Sequence, residues 1–225
     1  MKITKDSMNS MKTIILVGSP KKNGQSMQLV NRFKRGINGE IEVINVFDYQ
    51  PINPCLDCGH CKKNTSCKQN DGFEKIIEKL DMADCIVLAS PMWFGNISGP
   101  MMSFMSRINV LANGYSVRKD REHKWNKIGI LLMTTGAKWL GMSKSVEATV
   151  EFLFQEMDAL MLDCIYANKT DKLPTNINKQ AMLKCDRAAM LVNNWYNDKE
   201  KGNYIQYGYS SSNYIDYDLN HMENE

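Results

Sequence analysis

Short apolar runs alternate with amphipathic segments along most of this chain, and that alternation restricts the fold more than any other feature. Strand-like runs occupy residues 13–18, 41–47, 84–91, 127–135 and, as a short fifth run, 161–167. Apolar residues at helical spacing mark segments 29–37, 73–80, 97–111, 146–160 and 182–192. Strands that alternate with helices indicate crossover connections and a parallel sheet covered on both faces. We therefore predict an α/β fold with a doubly wound, five-stranded parallel sheet, whose ligands bind beyond the carboxyl ends of the strands.

The two ends of the chain differ from its middle. The 225 residues suffice for one large domain with a sizeable core, which we place at residues 11–200. Residues 1–10 carry no apolar pattern and are predicted to be a disordered N-terminal extension. Residues 201–225 are rich in Tyr, Ser and Asn and end acidic, which favours a mobile tail or an interface arm.

Composition excludes several classes of protein. A formal net charge of +3 gives no strong case for a nucleic acid or an anionic membrane as partner. No apolar run approaches the roughly 20 residues of a membrane span, and the polar N-terminus lacks the apolar stretch of a secretory signal. These features predict a cytoplasmic protein. Seven cysteines are an odd number, and cytosolic thiols are normally reduced, so disulfides are the least favoured use of the cysteines.

The first strand is followed by GSPKKNGQS, residues 18–26. The hydroxyls of Ser19 and Ser26, the charge of Lys21 and the start of a helix together suit an anion. The loop matches neither G-x-G-x-x-G nor G-x-x-x-x-G-K-[ST], which argues against a dinucleotide site and against an NTPase. A monophosphate fits better. The alternative is an ordinary strand-to-helix turn in which Ser26 caps the helix.

Two separated motifs carry a family resemblance. GSPKKNGQS and then SPMWFGNISGPM (residues 90–101) resemble the flavodoxin-like NAD(P)H-dependent FMN reductase superfamily, and the cysteine loop between them resembles its iron–sulfur flavoprotein branch. The resemblance covers about residues 11–107 and continues more loosely through residues 134–141. It implies a flavodoxin-like sheet in the strand order 2-1-3-4-5, FMN as cofactor, and a homo-oligomer, either a dimer or a tetramer.

The resemblance also implies three loops that contact FMN. The residues that fall on them are Ser19, Asn23, Gln25 and Ser26 at the phosphate, Pro91, Met92, Trp93, Phe94 and Gly95 along the flavin, and Thr134, Thr135 and Gly136 beside the ring, with Lys21 added for its charge. Trp93 stands where Tyr is common; an aromatic side chain there can pack against a flat ring, or it can simply fill the core. Ser103 and the pair Ser106–Arg107 stand where the family often has Lys and Asp-Arg, a departure that concerns subunit contacts more than flavin binding.

Four cysteines lie within the loop at residues 51–71, at Cys55, Cys58, Cys61 and Cys67, in the spacing C-x2-C-x2-C-x5-C. Iron–sulfur clusters need thiolates, commonly four, and this spacing suits one self-contained [4Fe–4S] cluster. A loop of empty or redox-active thiols and a zinc site remain alternatives, although structural zinc usually separates two C-x2-C pairs by a longer stretch. The other three cysteines lie in apolar patterns and are predicted to be core residues: Cys85, Cys164 and Cys185.

Three functional hypotheses follow. The first is an iron–sulfur flavoprotein in which a cluster on the four cysteines passes electrons from a donor such as ferredoxin to FMN, with no side chain required as a catalytic acid or base. The second is a clusterless reductase of FMN or a quinone, in which NAD(P)H gives hydride directly to the flavin. The third is a non-catalytic module that binds a phosphorylated ligand and uses zinc on the cysteine loop to hold a partner.

Overall fold

The computed structural model describes residues 10–137 and 141–202, which form one parallel five-stranded sheet with helices on both faces. The strands are β1 (Lys12–Val17), β2 (Glu40–Asn45), β3 (Cys85–Pro91), β4 (Lys127–Thr134) and β5 (Ala159–Ala167). The helices are α1 (Gln25–Gly36), α2 (Phe73–Asp81), α3 (Gly99–Met105), α4 (Asn109–Asn113), α5 (Gly141–Glu156) and α6 (Lys179–Glu200). The strand order is β2-β1-β3-β4-β5, so the predicted flavodoxin-like α/β fold is confirmed.

Alternate residues of the central strands pack against opposite helical layers, because successive side chains of a strand point to opposite faces. In β1, Ile14 and Leu16 join the core beneath α2, α3, α4 and α5, whereas Ile15 and Val17 join the core beneath α1 and α6. All eight residues of β4 are buried. This double burial explains why the strands read as continuous apolar runs rather than as alternating ones.

Two sequence-based boundaries were wrong. The helix predicted over residues 146–160 ends at Glu156, and Leu160 belongs to β5, which starts at Ala159 and is the longest strand of the sheet. Asp158 reverses the chain with a left-handed φ of 61°. The apolar pattern continued across this reversal because the first residues of β5, Ala159 and Met161, also pack in the core. The fifth strand, predicted to be short, is therefore nine residues long.

The apolar stripe over residues 97–111 does not form one helix. It divides into α3 and α4 around a turn at residues 106–108, and a π-helical turn follows at Gly114–Arg118. The stripe stays in phase because Ile108 in the turn is still buried.

The predicted terminal extensions fall almost wholly outside the described residues. Of residues 1–10 only Ser10 is described, and of residues 201–225 only Lys201 and Gly202. Within residues 10–137 and 141–202, no helix combines the length and the apolar character that crossing a membrane requires.

Candidate functional site

The loop between β1 and α1 starts with a close approach of two backbones. The N–H of Gly18 donates to the carbonyl of Ala89 at 2.8 Å, which ties the end of β1 to β3. A Cβ at Gly18 would lie 2.7 Å from Oγ of Ser98, so only glycine fits without displacing that hydroxyl. Ser98 is buried, and its hydroxyl has no hydrogen-bond partner among the described residues. The loop therefore adjoins a buried hydroxyl that the described residues leave without a partner.

Ser19 is held in place by a residue of the neighbouring strand. Asn45, at the end of β2, donates from Nδ2 to the carbonyl of Ser19 at 2.8 Å. Ser19 is buried, and the N–H of Lys21 points to its hydroxyl at 3.4 Å. Lys21 and Asn23 are exposed. The predicted phosphate residues thus lie on one loop with buried hydroxyls on its inner side and a lysine on its outer side.

Ser26 does not cap α1, so that alternative interpretation of the loop was wrong. The N-cap residue is Gly24, which supplies no side-chain hydrogen bond. Ser26 lies inside the first turn, and its hydroxyl is 2.9 Å from the Thr134 hydroxyl on β4. Within the part of the chain that the structure describes, no side chain caps the first N–H groups of α1, which leaves them available to an anion.

Three of the predicted cofactor loops meet at Thr134. Its hydroxyl pairs with Ser26 of the first loop, and its carbonyl accepts the N–H of Met92 at 2.7 Å from the loop after β3. Thr134 itself begins the third loop. Strands β1, β3 and β4 are neighbours, so their carboxyl ends bring these residues to one edge of the sheet. The structure therefore brings together residues that are far apart in sequence.

The loop after β3 presents two aromatic side chains to solvent. Trp93 and Asn96 exchange backbone hydrogen bonds at 2.8 and 3.1 Å around a two-residue turn. Both central residues of the turn are left-handed, with φ of 50° at Phe94 and 79° at Gly95. Trp93 is 41% exposed and Phe94 is fully exposed, which argues against core filling as the role of Trp93. Pro91 is the last residue of β3.

The third loop is fixed against the segment that follows β5. The N–H of Thr135 donates to Ala167 at 3.0 Å, and Thr170 donates back to the carbonyl of Thr135 at 3.0 Å. A Cβ at Gly136 would come within 2.1 Å of the Asp171 carboxylate, so the two loops touch at this glycine.

Gln25 also contacts the segment before α6. Its carbonyl oxygen accepts the Thr175 N–H at 2.7 Å, so the side chain points toward that segment and its amide nitrogen is the group left to donate.

The four loop cysteines surround one cavity of about 130 Å³. Cys58 is exposed and the other three are half-buried, and all four are free thiols. Arg107, which follows α3, and the α4 residues Asn109 and Asn113 line the same cavity. The cysteine loop therefore packs against the chain segment that follows the flavin loop.

Several donors point at the cysteine sulfurs. Nδ2 of Asn113 lies 3.3 Å from Sγ of Cys61, and Nδ2 of Asn109 lies 3.8 Å from Sγ of Cys55. The N–H of Asp57 also points at Sγ of Cys55, at 3.4 Å. Donors of this kind favour a sulfur that carries negative charge.

Arg107 joins the two ends of the cysteine loop. Its guanidinium is 1% exposed, donates to Asp71 at 2.6 Å, and reaches the carbonyls of Asn53 at 3.4 Å and Gln69 at 3.3 Å. Burial lowers the pKa of Arg107, but hydrogen bonds to Asp71 and to the Cys67 thiol raise it overall. A permanent positive charge is therefore held beneath the loop.

The remaining cysteines are inert core residues, as predicted. Cys85, Cys164 and Cys185 are buried, and burial raises the pKa of the Cys185 thiol to about 12. Within residues 10–137 and 141–202, no three His, Cys, Asp or Glu side chains stand close enough to share a single metal ion.

Sequence reasoning assigned no role at the site to five residues that contact these loops: Asn45, Ser98, Ser106, Asn109 and Asn113. The last three are spaced i, i+3 and i+7 and flank the buried positions Ile108 and Leu111. This polar helical face beside an apolar one could have indicated a packed surface, but the spacing alone does not reveal which segment of the chain the polar face contacts.

Comparison with known proteins places the chain among flavin enzymes. The family model described as NADPH-dependent FMN reductase matches residues 11–171. An iron–sulfur flavoprotein of Methanocaldococcus jannaschii is 33% identical over 138 residues, which cover 60% of this chain and 64% of that protein. An iron–sulfur flavoprotein of Archaeoglobus fulgidus is 29% identical over 131 residues, which cover 57% of this chain and 61% of that protein. The chain thus spans less than two thirds of the length of these curated relatives.

Among solved structures, the NAD(P)H:quinone oxidoreductase from Methanothermobacter marburgensis superposes with a TM-score of 0.64 at 14% identity. The superposition covers 80% of this chain and 98% of that one. Such a low identity shows the shared fold alone.

Proposed function

The chain belongs to the NADPH-dependent FMN reductase family, and on that premise we propose that it is an iron–sulfur flavoprotein that binds FMN and a [4Fe–4S] cluster. The single observation that carries the proposal is the cysteine pocket. Four free thiols surround one cavity, side-chain and backbone N–H groups point at two of the sulfurs, and a buried arginine lies beneath them. Relatives named iron–sulfur flavoproteins support the same assignment.

The β1–α1 loop suits the FMN phosphate. If Thr134 donates its hydroxyl hydrogen to Ser26, the hydrogen of Ser26 is free for a phosphate oxygen. Ser19, Asn23 and the amide nitrogen of Gln25 would add donors, and the uncapped start of α1 favours the negative charge. The bound FMN would supply the chemistry, since a flavin interconverts one-electron and two-electron steps.

The loops after β3 and β4 would hold the flavin ring. Trp93 and Phe94 offer exposed aromatic surface for a flat conjugated system. Met92 is fixed to Thr134 through its backbone, so the two loops keep a constant separation. The protein's part is to bind and orient the flavin and to exclude water from it.

The cluster would be held by Cys55, Cys58, Cys61 and Cys67 and would accept single electrons from a protein donor such as ferredoxin. We further propose that the protein works as a homo-oligomer in which the cysteine loop lies near a flavin of its own subunit or of a neighbour. The segment from α3 to α4 leads directly from the flavin loop to the cysteine pocket, which supports a functional connection between them.

A clusterless NAD(P)H-dependent reductase of FMN or a quinone is the second candidate. The observation in its favour is the family description itself, which names NADPH rather than a protein donor. The two candidates differ in iron content and in the reductant that they accept.

Anaerobic purification, followed by a visible spectrum and by iron, zinc and flavin analysis, tests the proposal. We expect about one FMN and four irons per chain. The visible spectrum should show the broad absorption of an iron–sulfur cluster superimposed on the flavin bands. Flavin without iron, together with rapid reduction by NADPH, would favour the clusterless reductase. Zinc without flavin would refute both.

A further inference from the structure

The polar face formed by Ser106, Asn109 and Asn113 is turned toward the cysteine loop, and we call it the amide face. Ser106 accepts the Cys55 N–H at 3.0 Å, Asn109 reaches the Cys55 sulfur, and Asn113 reaches the Cys61 sulfur. Three side chains at helical spacing thus contact two of the four cysteines. The amide face therefore packs against the cysteine loop and is not simply solvated.

The two amides on this face are held in a fixed orientation. Nδ2 of Asn113 also donates to the carbonyl of Asn109 at 2.8 Å, and Nδ2 of Asn109 donates to the carbonyl of Ser106 at 3.1 Å. Each amide nitrogen carries two hydrogens, so one is engaged by the helix backbone and the second is directed at sulfur. The backbone contact therefore holds the amide in the orientation of the N–H···S contact, so the side chain does not have to reorient when an electron is transferred.

We propose that Asn113, assisted by Asn109, sets the reduction potential of the cluster by donating N–H···S hydrogen bonds to its cysteine ligands. This inference rests on the proposed function. Reduction adds one negative charge to the cluster, and donors to the ligand sulfurs stabilise the more negative state most strongly. Arg107 carries a buried charge that is paired with Asp71, whereas Asn113 and Asn109 are the uncharged side-chain donors that the described residues direct at sulfur. Asn113 is a positioning and tuning residue and touches no substrate.

Substitution of Asn113 with a redox titration as the readout tests the proposal. Asn113→Leu keeps the size of the side chain and removes the donor. Asn193→Leu is the matched control, because Asn193 is a half-buried helical asparagine on α6 that donates to the Gly36 carbonyl at 2.7 Å, away from the cysteine loop. Both variants are purified anaerobically as full chains, and their iron content and cluster midpoint potential are measured by spectroscopically monitored titration.

We expect Asn113→Leu to retain iron while its equilibrium constant for one-electron reduction falls about tenfold, which is a shift of about 59 mV to lower potential. Asn193→Leu should keep the wild-type potential. If Asn113→Leu does not load iron, Asn113→Asp is measured instead, and its carboxylate should lower the potential at least as far.

A wild-type potential in the iron-loaded Asn113 variants overturns the tuning role and leaves the cluster assignment intact. An equal shift in Asn193→Leu also overturns it, because the effect would then be nonspecific. A wild-type protein that holds no iron after anaerobic reconstitution overturns the proposed function and this inference with it.

Discussion

Replacing Arg107 with Met should be among the most damaging single changes in the chain. Arg107 is 1% exposed and Asp71 11%, so the substitution leaves a nearly buried carboxylate without its partner. Removing one member of a buried ion pair costs about 3–5 kcal/mol. For a protein of this size each kcal/mol lowers the melting temperature by about 2–4 °C, so the expected fall is about 6–20 °C. The three contacts with Asn53, Gln69 and Asp71 that close the cysteine loop are lost together.

The assay is thermal and urea unfolding followed by circular dichroism, with Arg32→Met as the matched control. Arg32 also forms a two-pronged pair, with Asp186 at 2.6 and 2.5 Å, but both side chains are more than a third exposed. Such a pair contributes no more than about 1 kcal/mol. The double variant Arg107→Met with Asp71→Asn should lose less than the sum of the two single losses, because no unpaired charge remains. Equal losses in Arg107→Met and Arg32→Met, or strictly additive losses in the double variant, would refute the reasoning.

The same pair should make stability depend on acid. Burial alone would raise the pKa of Asp71, but hydrogen bonds from Arg107 and the Phe73 N–H lower it below its usual value. The stabilisation is therefore complete above about pH 4, the ordinary range of a free carboxyl, and is lost as the pH falls through the lower value of the folded state. Arg107→Met should flatten this part of the stability curve.

Three further outcomes are expected. Ser19→Ala with Ser26→Ala should weaken FMN binding tenfold or more, since each hydrogen bond to a charged group contributes about 1.5–3 kcal/mol. The control is Thr149→Ala, because Thr149 is half-buried on α5 and donates to the Ser145 carbonyl; it should leave the dissociation constant unchanged. Unchanged binding in the double variant would place the phosphate elsewhere. Cys58→Ser should lose the cluster and its reduction by ferredoxin yet keep FMN and its reduction by dithionite; ferredoxin reduction at the wild-type rate would show that the cluster is off the electron path. Burial raises the pKa of Glu147, so Glu147→Gln should raise the melting temperature at pH 8 and have little effect near pH 4, where the wild-type carboxyl is protonated; a lower melting temperature at pH 8 would contradict this.

Most of the sheet could be predicted because β1, β3, β4 and β5 are buried on both faces and therefore read as apolar runs bounded by polar loops. The same apolarity hid the boundary between α5 and β5. Met157 and Leu160 continue the period of the helix although Asp158 reverses the chain between them. Apolar periodicity indicates which residues are buried, and residues on both sides of a tight turn can be buried.

The candidate site was predictable in its loops but not in its contacts. Residues of the loops after β1, β3 and β4 had to meet, because parallel neighbouring strands end at one edge. The pairing of Ser26 with Thr134 depends on α1 crossing the sheet, which local sequence does not encode. The amide face was equally invisible, since an asparagine opposite an apolar stripe reads as a solvated residue until the cysteine loop is placed over it. The cofactor assignments themselves remain predictions.

The continuity between the flavin loop and the amide face has a consequence for how such chains can vary in length. From Gly99 at the start of α3 to Asn113 at the end of α4 the chain is helical except for the turn at residues 106–108. One inserted residue in that path would rotate the amides by about 100° about the helix axis and turn them away from sulfur. Residues 62–66, between Cys61 and Cys67, are all exposed, and the orientation of the amides does not depend on how many residues this segment has. We expect descendants of this chain to gain and lose residues freely between Cys61 and Cys67, and to keep the length of the helical segment that ends at Asn113.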